Sequence, residues 1–133
     1  MKRHILKSSR LKQGFTLIEI LVVLAIIATL LSLVTPRYFD SIEKSKETIL
    51  KQDLNMMRDA IDKFYSDKNS YPTTLDDLVT HRYLRAIPED PITESALSWV
   101  ITPPPDINTV GEVYDVHSGA EATALDGTLY AEW

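Results

Sequence analysis

The chain has 133 residues, no cysteine, 44% hydrophobic residues and a formal net charge of −5. That length holds one small domain besides a membrane-spanning segment, and the acidic balance argues against a phosphate-binding face and so against nucleic acid as a partner. Lacking disulfides, a domain this small must draw its stability from packing, assembly or a bound ion.

The chain opens on a short cationic leader with Lys2, Arg3, Lys7, Arg10 and Lys12 and no acid. Behind it run twenty residues, Phe15 to Val34, that are almost wholly apolar. As a helix they extend roughly 30 Å, the thickness of a bilayer's hydrocarbon core. One acid, Glu19, interrupts them. A carboxylate in such a segment costs about 3 kcal/mol at the centre of a span and less near its end, so it calls for a partner or for solvent near the headgroups. A cut after Gly14 would supply the partner, because it would expose an α-ammonium on Phe15 one helical turn before Glu19. It would also remove five of the fourteen basic residues and none of the nineteen acids.

The run Gly14-Phe15-Thr16-Leu17-Ile18-Glu19-Ile20 behind a basic leader resembles the class III signal of type IV pilins and type II secretion pseudopilins. The resemblance implies leader cleavage between Gly14 and Phe15 by a prepilin peptidase, N-methylation of Phe15, and subunit assembly in which Glu19 registers against the Phe15 terminus of a neighbour. Two rival readings explain less. A secretory signal peptide expects a small-residue cleavage site after its apolar core, and none stands around Ser32 to Arg37. An uncut signal anchor leaves Gly14 and Glu19 without a role.

Basic flanks stay in the cytoplasm, which predicts a single-pass inner-membrane protein with its N-terminus cytoplasmic and its C-terminal region periplasmic. Pro36 removes one helical hydrogen bond and predicts a helix kink. The helix should continue past it, because Tyr38, Ile42, Ser45, Ile49, Leu50, Leu54, Met57, Ile61, Phe64 and Tyr65 recur at steps of three or four. From Phe15 to Tyr65 such a helix is about 75 Å long. A domain of this size covers only part of it, so lipid or other subunits must cover the rest.

Lys68-Asn69-Ser70 marks the helix end, and Thr74 three residues before Asp77 predicts a capping box for a short second helix packed by Leu75, Leu78, Tyr83 and Leu84. The segment from Lys68 to Leu84 and the turn Arg85 to Pro91 resemble elements of the major pseudopilin. Ser98 to Ile101 and Glu112 to His117 predict an antiparallel strand pair joined by a stiff triproline loop, with Thr128 to Trp133 as a candidate third strand. The expected domains are a leader over 1–14, a membrane and assembly helix over 15–35, an amphipathic helix over 36–67 and a small α+β region over 68–133. The expected fold class is α+β, pilin-like: a long kinked helix on a small antiparallel sheet.

Enzyme signatures are missing: there is no phosphate loop, no zinc motif and no nucleophile elbow, and His4, His81 and His117 are scattered. The loop from Ser118 to Gly127 bends as calcium loops do, and Ser118, Glu121 and Asp126 are candidate metal ligands. The loop occupies the place of a C-terminal calcium site in the major pseudopilins, yet it departs from their acid-rich pattern at Ala120, Ala122, Ala124 and Leu125. The resemblance implies a homo-polymer with minor pseudopilins, an inner-membrane assembly platform and a secretion ATPase as partners. A minor pilin of a type IV pilus or DNA-uptake fibre, and a monomeric membrane-anchored binding domain, are the alternatives.

Overall fold

The computed structural model describes residues 13–133, so the leader cations lie outside the described residues. Helix α1 spans Leu17–Lys68 and α2 Leu75–Thr80; strands β1, Val100–Thr102, and β2, Asp115–His117, follow. The described contacts divide the chain into two units, meeting between Tyr38 and Phe39.

The first unit is the apolar half of α1. Among the described residues, α1 is long and apolar enough to cross a membrane. The unit's side chains are exposed from Phe15 through Tyr38. Three hydroxyls along it are satisfied within the helix, as lipid requires: the Thr29 hydroxyl donates to the Ala25 carbonyl at 2.8 Å, Ser32 to Thr29 at 2.7 Å and Thr35 to Leu31 at 2.6 Å. Pro36 sits inside the helix without ending it.

The second unit packs the remainder of α1 against the C-terminal residues. Leu50, Leu54, Met57, Ala60, Ile61 and Phe64 form the buried stripe, and Leu78, Trp99, Val113 and Val116 cover it. The stripe is narrower than the periodicity predicts, for Tyr38 is 62% exposed and Tyr65 37% exposed. α1 stops where Asn69 turns left-handed at φ 53°, a conformation asparagine tolerates better than most residues. α2 starts on the predicted cap: Asp77 Oδ2 accepts the Thr73 and Thr74 N–H groups at 2.9 and 3.2 Å.

The strands pair antiparallel in the register Val100 to His117, Ile101 to Val116 and Thr102 to Asp115. The segment from Thr128 does not add a third strand. Leu129 makes a single bridge to Thr123, and Tyr130–Glu132 form a 3-10 turn. The turn wins because its side chains are anchored elsewhere: Tyr130 is buried, and its hydroxyl donates to Glu47 Oε1 on α1 at 2.9 Å.

Candidate functional site: the start of the apolar helix

Gln13 to Thr16 lie ahead of the helix, exposed and outside regular structure. The Gly14–Phe15 bond is therefore open to a protease, which needs extended backbone rather than helix. Nothing lies within 4 Å of a Cβ added at Gly14. Space among the described residues therefore does not call for a glycine there.

Glu19 is not without a partner in its own chain. Its Oε2 accepts the Thr16 N–H at 3.0 Å, while Thr16 Oγ1 accepts the Glu19 N–H at 3.2 Å. This reciprocal pair is a capping box, which satisfies two helix-end donors that the bilayer would leave unpaired. The spacing Thr16-x-x-Glu19 carries that signal in the sequence, beside the charge. One carboxylate oxygen closes the box, and Oε1 has no hydrogen-bond partner among the described residues.

The C-terminal loop does not gather the predicted calcium ligands. Ser118 is fully buried; its hydroxyl donates to Asp90 Oδ2 at 2.5 Å and accepts the Ala120 N–H at 3.1 Å. Asp126 Oδ1 accepts both the hydroxyl and the N–H of Thr128, at 2.6 and 3.0 Å, and the hydroxyl bond is the main cause holding its carboxyl below the usual range. Glu121 is exposed. Among the described residues no three acids or histidines come together as a metal cluster. Ser118, Glu121 and Asp126 thus do not fit a calcium ion in this arrangement, because Ser118 closes an internal hydrogen bond and Asp126 closes a turn.

Two helix residues that the sequence did not single out tie down the C-terminal segment, Glu47 the loop itself and Arg58 the strand before it and the chain end after it. Glu47 Oε1 accepts the Leu125 N–H at 2.8 Å as well as the Tyr130 hydroxyl. Arg58 donates through Nε to Asp115 Oδ1 at 2.8 Å and through Nη2 to the Val116 and Trp133 main-chain oxygens at 2.9 and 2.6 Å. Burial, then the bond to Glu47, pushes the Tyr130 hydroxyl up from 10 to about 12. A raised tyrosine pKa adds stability that is complete below pH 10 and is lost as pH rises through 12. Roughly 3 kcal/mol is at stake in that window. Thermal melts of Tyr130→Phe should cost about 1 kcal/mol at neutral pH and fall less steeply than wild type between pH 10 and 12.

An apolar helix, capped at its entry and preceded by an open Gly–Phe bond, defines a membrane-anchored protein of the pilin-like class. Residues 9–35 match the prokaryotic N-terminal methylation motif family. The chain is similar to type II secretion system core protein G of Aeromonas hydrophila, 35% identical over 98 residues, covering 62% of this chain and 68% of the relative. The same protein of Klebsiella pneumoniae is 35% identical over 96 residues, covering 60% and 69%, and that of Vibrio cholerae 32% over 101 residues, covering 65% and 69%. No solved structure matches. The chain belongs to the type II secretion system core protein G family, the major pseudopilins.

Proposed function

We propose that this chain is the repeating subunit of a type II secretion pseudopilus. The observation that carries the reading is the N-terminal constellation: an exposed Gly14–Phe15 bond, a capped apolar helix and Glu19 in its first turn. A prepilin peptidase cuts after Gly14 on the cytoplasmic face of the inner membrane and methylates the Phe15 nitrogen. The new ammonium of an incoming subunit meets the open oxygen of Glu19 in its neighbour. An assembly platform and a secretion ATPase draw subunits, with minor pseudopilins, into a fibre that drives protein export across the outer membrane.

In this reading the chain is not an enzyme, its lipid contact is the span, and its C-terminal unit faces the periplasm. Membership of the core protein G family favours secretion over a type IV pilus, a DNA-uptake fibre or a monomeric binding domain. Fibres sheared from cells carrying the peptidase and the assembly proteins should contain the chain; its recovery only as membrane-embedded monomer would overturn the reading.

Two substitutions refine it. Gly14→Ala should slow cleavage mildly, and Gly14→Val should abolish it while leaving the fold intact, since a side chain at Gly14 meets no neighbour. Immunoblots of the unprocessed and processed forms check both. Isothermal titration of calcium into the full chain in detergent should give no heat at the Ser118 to Gly127 loop.

A further inference from the structure

The far end of the first unit carries a cation with no role in the pairing at Glu19. Arg37 is exposed and has no ion pair among the described residues. Beside it stands Tyr38, 62% exposed, a side chain with an apolar body and a polar tip. Both follow closely on Val34, where the apolar run ends.

From Ile20 to Pro36 the chain carries no charge, so Glu19 and Arg37 bracket an uninterrupted apolar window. The helix is continuous through Pro36, and the two charged positions therefore stand about 27 Å apart along its axis. The hydrocarbon core of a bilayer is about 30 Å thick. Only one depth keeps both charges out of it: Glu19 at one boundary and Arg37 at the other, each side chain reaching outward to its own headgroup layer. Centring Phe15 to Val34 in the bilayer instead would carry Glu19 about 6 Å inward. A slide the other way would sink Arg37.

We infer that Arg37 is a lipid site: its guanidinium holds the phosphodiester of a phospholipid headgroup, with the Tyr38 ring in the same interfacial layer, and this contact sets the depth of the helix. A guanidinium is planar and pairs with two phosphate oxygens at once, so it fixes a headgroup that a lysine would only attract. Tyrosine suits that layer because its ring prefers the acyl boundary and its hydroxyl prefers water. The depth so fixed holds Glu19 level with the opposite headgroups, where the acid is solvated until its amine arrives. It also leaves the Gly14–Phe15 bond outside the hydrocarbon. The contact belongs to the single subunit in its bilayer and needs no fibre.

Because the chain has no cysteine, a nitroxide can be placed at cysteines introduced one at a time from Leu21 to Leu33 of the full chain, in vesicles of phosphatidylethanolamine and phosphatidylglycerol. Accessibility to oxygen relative to an aqueous nickel chelate should peak at Ala28, midway between Glu19 and Arg37. Arg37→Leu lengthens the charge-free window to Phe39 and should move the peak about two residues, roughly 3 Å, toward Leu30. Solid-state NMR of the chain with guanidinium nitrogen-15 should show dephasing by lipid phosphorus-31, and Arg37→Lys should reduce it. A wild-type peak at Leu24 and Ala25, an Arg37→Leu profile that superimposes on wild type, or equal dephasing in Arg37→Lys overturns the lipid site. None of these outcomes bears on whether fibres form, so the pseudopilus reading stands or falls separately.

Discussion

Glu19→Gln should leave the helix start, membrane insertion and leader cleavage intact, and should reduce incorporation into fibres by about a thousandfold. Glutamine serves at the third position of a capping box as glutamate does, so the bond from the Thr16 N–H, 3.0 Å in wild type, survives. Only the charge is lost. At about 4 Å and an effective dielectric near 20, an ammonium and a carboxylate attract by roughly 4 kcal/mol, which is the thousandfold just given. Glu19→Ala removes charge and cap together and should be no worse for fibre yield. Thr16→Ala keeps the charge and removes half the box, at a cost of about 1 kcal/mol to the helix end, and should still polymerise. Fibre yield from sheared cells, normalised to processed subunit, ranks the three. Normal fibres from Glu19→Gln would mean that Glu19 is a cap and nothing more.

Gly111→Ala should unfold the second unit. Gly111 has φ 108°, where a side chain is strained, and an added Cβ would stand 2.5 Å from the Tyr71 carbonyl carbon and 2.8 Å from its Cα, overlapping the carbonyl oxygen more closely still. Those are backbone atoms, and they are fixed. The Tyr71 N–H donates to the Val110 carbonyl at 2.8 Å, and the Glu112 and Val113 N–H groups donate to the Pro72 carbonyl at 3.0 and 2.9 Å. Relieving the clash means giving up these bonds at about 1 kcal/mol each, besides roughly 1–2 kcal/mol of left-handed backbone strain. The sum is about 4–5 kcal/mol, close to the whole stability of a marginal domain. Gly127→Ala is the control: its φ is 88° but nothing lies within 4 Å of the added Cβ, so only the conformational cost of about 1 kcal/mol applies. Circular dichroism melts of both variants in detergent should separate them by well over ten degrees.

What was legible in the sequence was local. The apolar run, the three- and four-residue spacing of Leu50, Leu54, Met57, Ile61 and Phe64, the turn at Asn69 and the Thr74–Asp77 cap each depend on residues within a turn or two of one another. The strand pair was legible because β-branched and aromatic residues cluster on both sides of the triproline loop. The C-terminal segment misled: Thr128 to Trp133 has strand-like composition, but the Tyr130 hydroxyl is held by Glu47, 83 residues away. The same holds for Arg58 with Asp115, 57 residues apart, and for Asp90 with Ser118, 28 apart. Such pairs leave no periodic trace, and a candidate metal ligand such as Ser118 cannot be told from a buried hydrogen-bond donor until its partner is seen. Thr16 and Glu19 show the converse, since their spacing is a capping pattern that the acid's charge alone does not reveal.

In the proposed assembly, proteolysis creates the amine that Glu19 awaits. Mass spectrometry of the chain purified from membranes of cells with an active prepilin peptidase should find an N-terminal peptide that begins at Phe15 and carries one added methyl group. A mature membrane form that still begins at Met1 would contradict it.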